Sequence, residues 1–252
     1  MKELVNNFLL YFQFLTRVPI NMNLECSQDN FRRGIIFFPI VGVFIGICQM
    51  IMYLIFGDIL PSSVVAVILI LTPIMITGGL QIDGLGDTCD GFLAFKGGGK
   101  EKRIDIMKDS RIGTFAAIGI IFDFLFKFVL IQSAIDTSST WILFMAPILS
   151  RFSVVFISFI GKRAKENGTG NFYIQNVGKI GMLLVTLIPI VCGYFTLGIS
   201  TVVITMGLCI VFCFIFNKYC EGKIGGQSGD TLGATNEIVE IISMMSLLAL
   251  LI

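Results

Sequence analysis

Three aspartates, Asp83, Asp87 and Asp90, stand at i, i+4 and i+7 in the stretch from Gly78 to Gly91. On a helix those positions share one face. At about 6 Å and an effective dielectric near 20, each neighbouring ionised pair repels by roughly 2.8 kcal/mol. A divalent cation offsets that repulsion, and hard carboxylate oxygens select magnesium or calcium over zinc. A solvated acidic loop is the plainer alternative. Against it stand the lack of interspersed lysine, the position at the end of an apolar run, and Gly84, Gly86 and Gly91, which allow close approach of backbone or ligand.

Two further pieces mix charge with hydroxyls and glycine. In the first, Lys108, Asp109, Ser110 and Arg111 precede an apolar run, and the two cations are suited to phosphate. Membrane anchoring by basic residues explains their charge but not the Asp-Ser-Arg grouping. In the second, Gly225 to Glu237, Asp230 and Glu237 are seven apart; a helix cap accounts for Asp230 but not for Glu237, which with Glu240 lies inside the last apolar run. Asp123, Lys127 and Arg151 also sit within apolar runs, each at a cost of about 2.5–3.5 kcal/mol at the middle of a span, so they must face the interior or a watery cavity. Asp123 and Lys127, at i and i+4, can pair with each other. Arg151 has no partner in its own run and is a candidate for an anionic substrate.

The elements that position these residues must be membrane spans. Apolar AVILMFWYC residues make up 55% of the 252 and charged residues 14%, with a net charge of +1. That is too apolar for a soluble core, and it provides no field to recruit nucleic acid. With no histidine, the usual general base near neutral pH and the usual zinc and haem ligands are excluded. The seven cysteines form no CxxC pair and read as reduced packing residues. At roughly 20 residues per span, seven are expected: Gly34 to Phe56, Val64 to Leu80, Ile112 to Ile135, Thr140 to Gly161, Ile180 to Leu197, Ile199 to Phe216 and Thr231 to Ile252. The division near Ser200 is open between two spans and one bent hairpin. Ahead of them, Leu4, Val5, Phe8, Leu9, Phe12 and Leu15 predict an amphipathic helix lying on the surface. No small-residue cleavage site follows, so a removed signal peptide is not expected.

Of 18 basic residues, 16 fall in the four segments that seven spans place on one side, and Lys127 and Arg151 lie within spans. The amino terminus and the acidic and basic loops are therefore expected in the cytoplasm, with the carboxyl terminus outside. No repeat divides the chain, which is expected to be a single domain, all-α and integral to the membrane, with a homo-oligomer left open.

Five pieces, in order, resemble those of the cobalamin synthase (adenosylcobinamide-GDP ribazoletransferase) family: Leu15-Thr16-Arg17-Val18-Pro19, Phe37 to Gly42, Gly78 to Gly91, Ile106 to Thr114, and Gly229 to Glu237. They span nearly the whole chain, and the acidic piece is the most specific. The resemblance implies a Mg2+-dependent, multi-pass enzyme of the cell (inner) membrane that joins adenosylcobinamide-GDP to alpha-ribazole or its 5′-phosphate and releases GMP. It implies Asp83 and Asp87 as metal ligands and Asp90 as ligand or general base. Lys108, Arg111 and Arg151 would bind phosphate, with Ser110 and Asn236 in the same substrate-binding pieces, and Asp109, Asp230 and Glu237 would orient groups or complete the metal shell. Family members often carry histidine where this chain has Gln81, so a base or ligand role there is lost or altered. The nearest chemical alternative is a CDP-alcohol phosphotransferase or prenyltransferase. A cation-coupled transporter would place paired acids nearer the middle of the bilayer.

Overall fold

The computed structural model describes residues 2–94, 97, 99–164 and 174–252. Among them every named element is a helix, and a lone backbone bridge joins Arg163 to Gln227. The helices are α1 (Lys2–Leu15), α2 (Gln28–Arg33), α3 (Phe37–Phe56), α4 (Ser62–Thr77), α5 (Leu80–Leu93), α6 (Gly99–Met107), α7 (Thr114–Asp136), α8 (Trp141–Ile160), α9 (Lys179–Thr196), α10 (Ile199–Ile224) and α11 (Gly229–Leu251).

Six of these, α3 and α7 to α11, are long and apolar enough to cross a bilayer, and α4 with α5 forms a seventh candidate bent by 93°. The chain is thus an all-α, multi-pass membrane protein. The expected second span ends earlier than its apolar run does. Instead of running to Leu80 it stops at Thr77, because Gly78 and Gly79 adopt φ of 67° and 76°, a left-handed conformation that ends a helix readily only at glycine. Alone, α4 is about 24 Å long at 1.5 Å per residue. Leu197 and Gly198, the latter at φ 84°, separate α9 from α10, so the region near Ser200 holds two helices, and α10 runs on past Phe216 to Ile224.

α8 is the most buried span, packed against α3, α9, α10 and α11, while α11 also meets α5, α7 and α10. Leu125, Phe126, Leu183 and Leu208 on the outer helices are exposed, as a lipid-facing surface requires. Pro73, inside α4, cannot donate to the Leu69 carbonyl four residues earlier. The buried Gln49 amide donates to it instead at 3.0 Å. α1 does not simply lie on a surface: Tyr11 is fully buried, its hydroxyl donates to the Phe31 carbonyl at 2.7 Å, and Phe8 meets Phe37, so one face docks on α2 and α3 while Leu4 and Val5 stay exposed. The short helices α2 and α6 lie outside every expected element.

Contacts gather the four basic segments at one end of the bundle. Arg17 packs against Gly78, and Arg32, Arg33, Gly178 and Gly181 line one cavity. The Gln227 amide donates to the Lys162 carbonyl at 2.7 Å, and a Cβ on Gly225 would stand 2.9 Å from Lys100 Nζ. Lys96 and Lys165, which also count toward the charge pattern, lie outside the described residues. All seven cysteines are free.

Candidate active site

The turn at Gly78 and Gly79 aims α5 along that basic end, and the three aspartates lie on this one helix, which runs unbroken through Gly84, Gly86 and Gly91. Their environments differ. Asp83 is exposed, Asp87 half-buried and Asp90 buried. Both Asp90 oxygens are taken: Oδ2 accepts the Gly113 amide at 2.7 Å and Oδ1 the Ala116 amide at 2.9 Å. Gly113 caps α7 without a side chain of its own, and a Cβ there would lie 2.5 Å from Asp90 Oδ2, so the carboxylate on α5 caps α7 from outside. In this arrangement the Asp90 oxygens fasten the loop before α7. Among the described residues no three His, Cys, Asp or Glu side chains converge as a metal shell. Spacing explains this, since i and i+7 share a face but stand about 10.5 Å apart along the axis.

α6 folds back on α5, where Arg103 Nη1 donates to the Gly91 and Phe92 carbonyls, each at 3.1 Å. The loop from Lys108 to Gly113 is thereby laid over the aspartates. Asp83, Asp87 and Asp90 from α5 and Lys108, Asp109, Ser110 and Arg111 from this loop line one cavity of about 280 Å³. Within it Arg111 grips Asp109, with Nη2 to Oδ2 at 2.6 Å and Nε to Oδ1 at 3.0 Å. Those bonds lower the Asp109 pKa to about 2. Lys108 is exposed, and its side chain makes no ion pair or hydrogen bond among the described residues.

On the other side of Asp83, α5 and α11 approach through glycines. A Cβ on Gly84 would lie 2.8 Å from the Asp230 carbonyl, and one on Gly233 would lie 2.9 Å from the Gln81 carbonyl. Ser228 caps α11 by accepting the Thr231 amide, and its hydroxyl donates to Asp230 Oδ2 at 3.2 Å, so Asp230 is a first-turn residue and not the cap. Asp230, Asn236, Gln81 and Asp83 share a pocket of about 110 Å³ with Phe14 and Phe38.

Arg151 and Glu237 do not line either cavity. They belong to a sealed network in which Lys127 pairs with Asp123 at 3.0 Å, with Glu237, and with Glu240 at 3.8 Å, while Arg151 faces Glu240 at 3.9 Å. The expected Asp123–Lys127 pair is thus one edge of a five-residue cluster. Arg151, 2% exposed, faces Glu240 and donates to the Ser150 hydroxyl, and with Gln81, Lys127, Glu237 and Glu240 it lines a separate small cavity of about 20 Å³. Glu240 was visible as a buried acid, but its partners lie on other helices, where no sequence spacing leads. Asn236 Nδ2 donates to Glu237 Oε1 at 2.9 Å and so connects the network to the pocket beside Asp83.

Fold and site together define a multi-pass helical membrane protein with an acidic and basic cleft at a broken helix. The profile of the cobalamin-5-phosphate synthases matches residues 7–248, and the chain belongs to that family of enzymes of cobalamin biosynthesis. It is 47% identical over 249 residues to a protein of Clostridium kluyveri named adenosylcobinamide-GDP ribazoletransferase, covering 98% of each chain. It is 42% identical over 247 residues to a protein of the same name from Clostridium tetani, again covering 98% of each. No solved structure matches.

Proposed function

We propose that the chain transfers the cobinamide phosphate of adenosylcobinamide-GDP to alpha-ribazole or its 5′-phosphate, with release of GMP, at the cytoplasmic face of the cell membrane. The observation that carries this reading is the convergence on Asp83 of acidic α5, the Lys108–Arg111 loop and Asp230. An acceptor ribose hydroxyl attacks the cobinamide-bearing phosphorus, the P–O bond to GMP breaks with its electron pair staying on GMP, and the hydroxyl proton passes to a carboxylate and on to water. The basic segments gathered at the same end support a cytoplasmic site.

The donor set suits Mg2+, which is commonly bound by one or two carboxylates with water and substrate phosphates completing its shell. Asp83 and Asp87 would hold it, and its chemistry there is to neutralise pyrophosphate charge and hold attacking and leaving oxygens in line. Lys108 neutralises phosphate directly. Arg111 reaches phosphate by sharing or exchanging Asp109. Asp90 keeps the loop in place, and Asp230 receives the hydroxyl proton. Detergent-purified protein is expected to release GMP from adenosylcobinamide-GDP only with both a divalent cation and an acceptor, and Asp83→Asn to abolish that release. Release independent of metal, or undiminished in Asp83→Asn, refutes the assignment.

A further inference from the structure

Asp83 borders three cavities: the Lys108–Arg111 cleft, the Phe14/Phe38 pocket, and a space of about 600 Å³ beside Arg17, Gly78 and Gly79. Only the first follows from the chemistry of a pyrophosphate. In the second, apolar walls from Phe14 and Phe38 face a polar end of Gln81, Asp83, Asp230 and Asn236, and no Lys or Arg lines it. Asn236 is 1% exposed and its Oδ1 has no hydrogen-bond partner. A buried, unpaired acceptor is costly, and it calls for a donor such as a ligand hydroxyl. Aromatic walls with sugar-binding oxygens at one end suit a flat, apolar base carrying a ribose.

The third cavity shares Phe14, Leu80 and Asp83 with the second. Arg17 lines it, exposed, and makes no ion pair or side-chain hydrogen bond among the described residues. Its place is nonetheless fixed. The Arg17 amide donates to the Ile76 carbonyl at 2.6 Å, and the guanidinium lies on Gly78 where a Cβ would collide with it. A positioned, unneutralised guanidinium is a phosphate ligand in waiting.

We infer that the acceptor nucleoside occupies the Phe14/Phe38 pocket, with a ribose hydroxyl donating to Asn236 Oδ1, and that Arg17 binds its 5′-phosphate in the adjoining space, so that Arg17 sets selectivity for the phosphorylated acceptor. This rests on the proposed function. Donor pyrophosphate and acceptor then meet from opposite sides of Asp83, where the hydroxyl oxygen bonds to phosphorus, the bond to GMP breaks, and the proton leaves through Asp230 to water.

The test measures GMP release in neutral detergent with alpha-ribazole and with alpha-ribazole 5′-phosphate, and compares kcat/KM for the two. Losing one charge-assisted phosphate contact, Arg17→Gln is expected to reduce selectivity for the phosphorylated acceptor about tenfold or more, and Arg17→Lys by less. Turnover of the unphosphorylated acceptor by the same variant shows that it has folded. A wild type with no preference, or an Arg17→Gln variant with unaltered selectivity, overturns the assignment while GMP release itself stands. A wild type without metal-dependent GMP release overturns the proposed function and this assignment with it. A lipid headgroup also offers an anionic phosphate, as a phosphodiester, so the comparison is repeated with added phosphatidylglycerol. Loss of selectivity that appears only with the anionic lipid would make Arg17 a lipid contact and overturn the inference.

Discussion

Replacing Asp90 by asparagine separates a fastening carboxylate from a metal ligand. In the native protein one carboxylate accepts two backbone amides, from Gly113 at 2.7 Å and Ala116 at 2.9 Å, at the positive end of a 23-residue helix. Asparagine keeps one acceptor, but its amide group turns a second donor toward an N–H. One charge-assisted bond is lost, at about 1.5–3 kcal/mol, and the charge facing the α7 terminus is lost as well, at about 0.3–1 kcal/mol. The sum, about 2–4 kcal/mol, shifts the closed-to-open balance of the Lys108–Gly113 loop by roughly thirtyfold to several hundredfold toward the open form. GMP release assayed across a magnesium series should therefore show kcat/KM falling severalfold or more, with the half-saturating magnesium concentration little changed, and thermal unfolding should begin several degrees lower. Asp90→Asn that unfolds like the wild type but requires tenfold more magnesium would refute the fastening role and restore Asp90 as a ligand.

Gly84→Ala and Gly233→Ala should each lower transferase activity by pushing α5 from α11, since the new Cβ meets backbone within 3 Å in both cases; Gly207→Ala and Gly222→Ala, where nothing lies within 4 Å, should leave activity intact and gain up to about 1 kcal/mol in thermal unfolding. Lys127→Met leaves three buried carboxylates facing Arg151 alone and should cost about 3–5 kcal/mol, seen as lost yield of folded protein in mild detergent. Carboxyl-carbon NMR of Asp109 should show a titration midpoint near 2, below the ordinary carboxylate value. The sign follows from that depression: the Arg111–Asp109 pair is fully present above about pH 4, its contribution is lost as pH falls through about 2, and any activity loss between pH 5 and 7 must come from another group. Arg111→Gln should return the midpoint toward 4.

Hydropathy and loop charge were enough to locate most spans, because burial in lipid leaves a composition signal that no packing detail overrides. The end of α4 was not located this way. Its apolar run continues to Leu80, but the helix obeys Gly78 and Gly79, and only backbone conformation shows that the turn carries α5 off at 93°. The company of Asp83, Asp87 and the Lys108–Arg111 loop was legible because short segments of one chain hold them close. The jobs of Asp90 and Arg151 were not legible. A carboxylate in an acidic motif reads as a ligand whether its oxygens face a cation or two backbone amides, and an arginine in a span reads as unpaired when its acid lies on another helix.

The sealed cluster explains why Glu237 resembles a site residue without lining the site. Burying ion pairs seldom gains stability over apolar packing of the same shape, so a five-residue network inside a bundle calls for another reason to persist. Here its members join three helices: Asp123 and Lys127 on α7, Arg151 on α8, Glu237 and Glu240 on α11. A rotation of α11 that suited lipid equally well would strip Lys127 of its acids, so the network pins that rotation. Asp230, seven residues before Glu237, falls on the same face about 10.5 Å nearer the basic end, and is thereby turned toward Gly84 and Asp83. Asn236 completes the connection, with its amide on Glu237 and its side chain among the residues that line the pocket. The cluster acts on the chemistry at a distance of two helical turns, as the register that keeps one wall of the cleft facing the other.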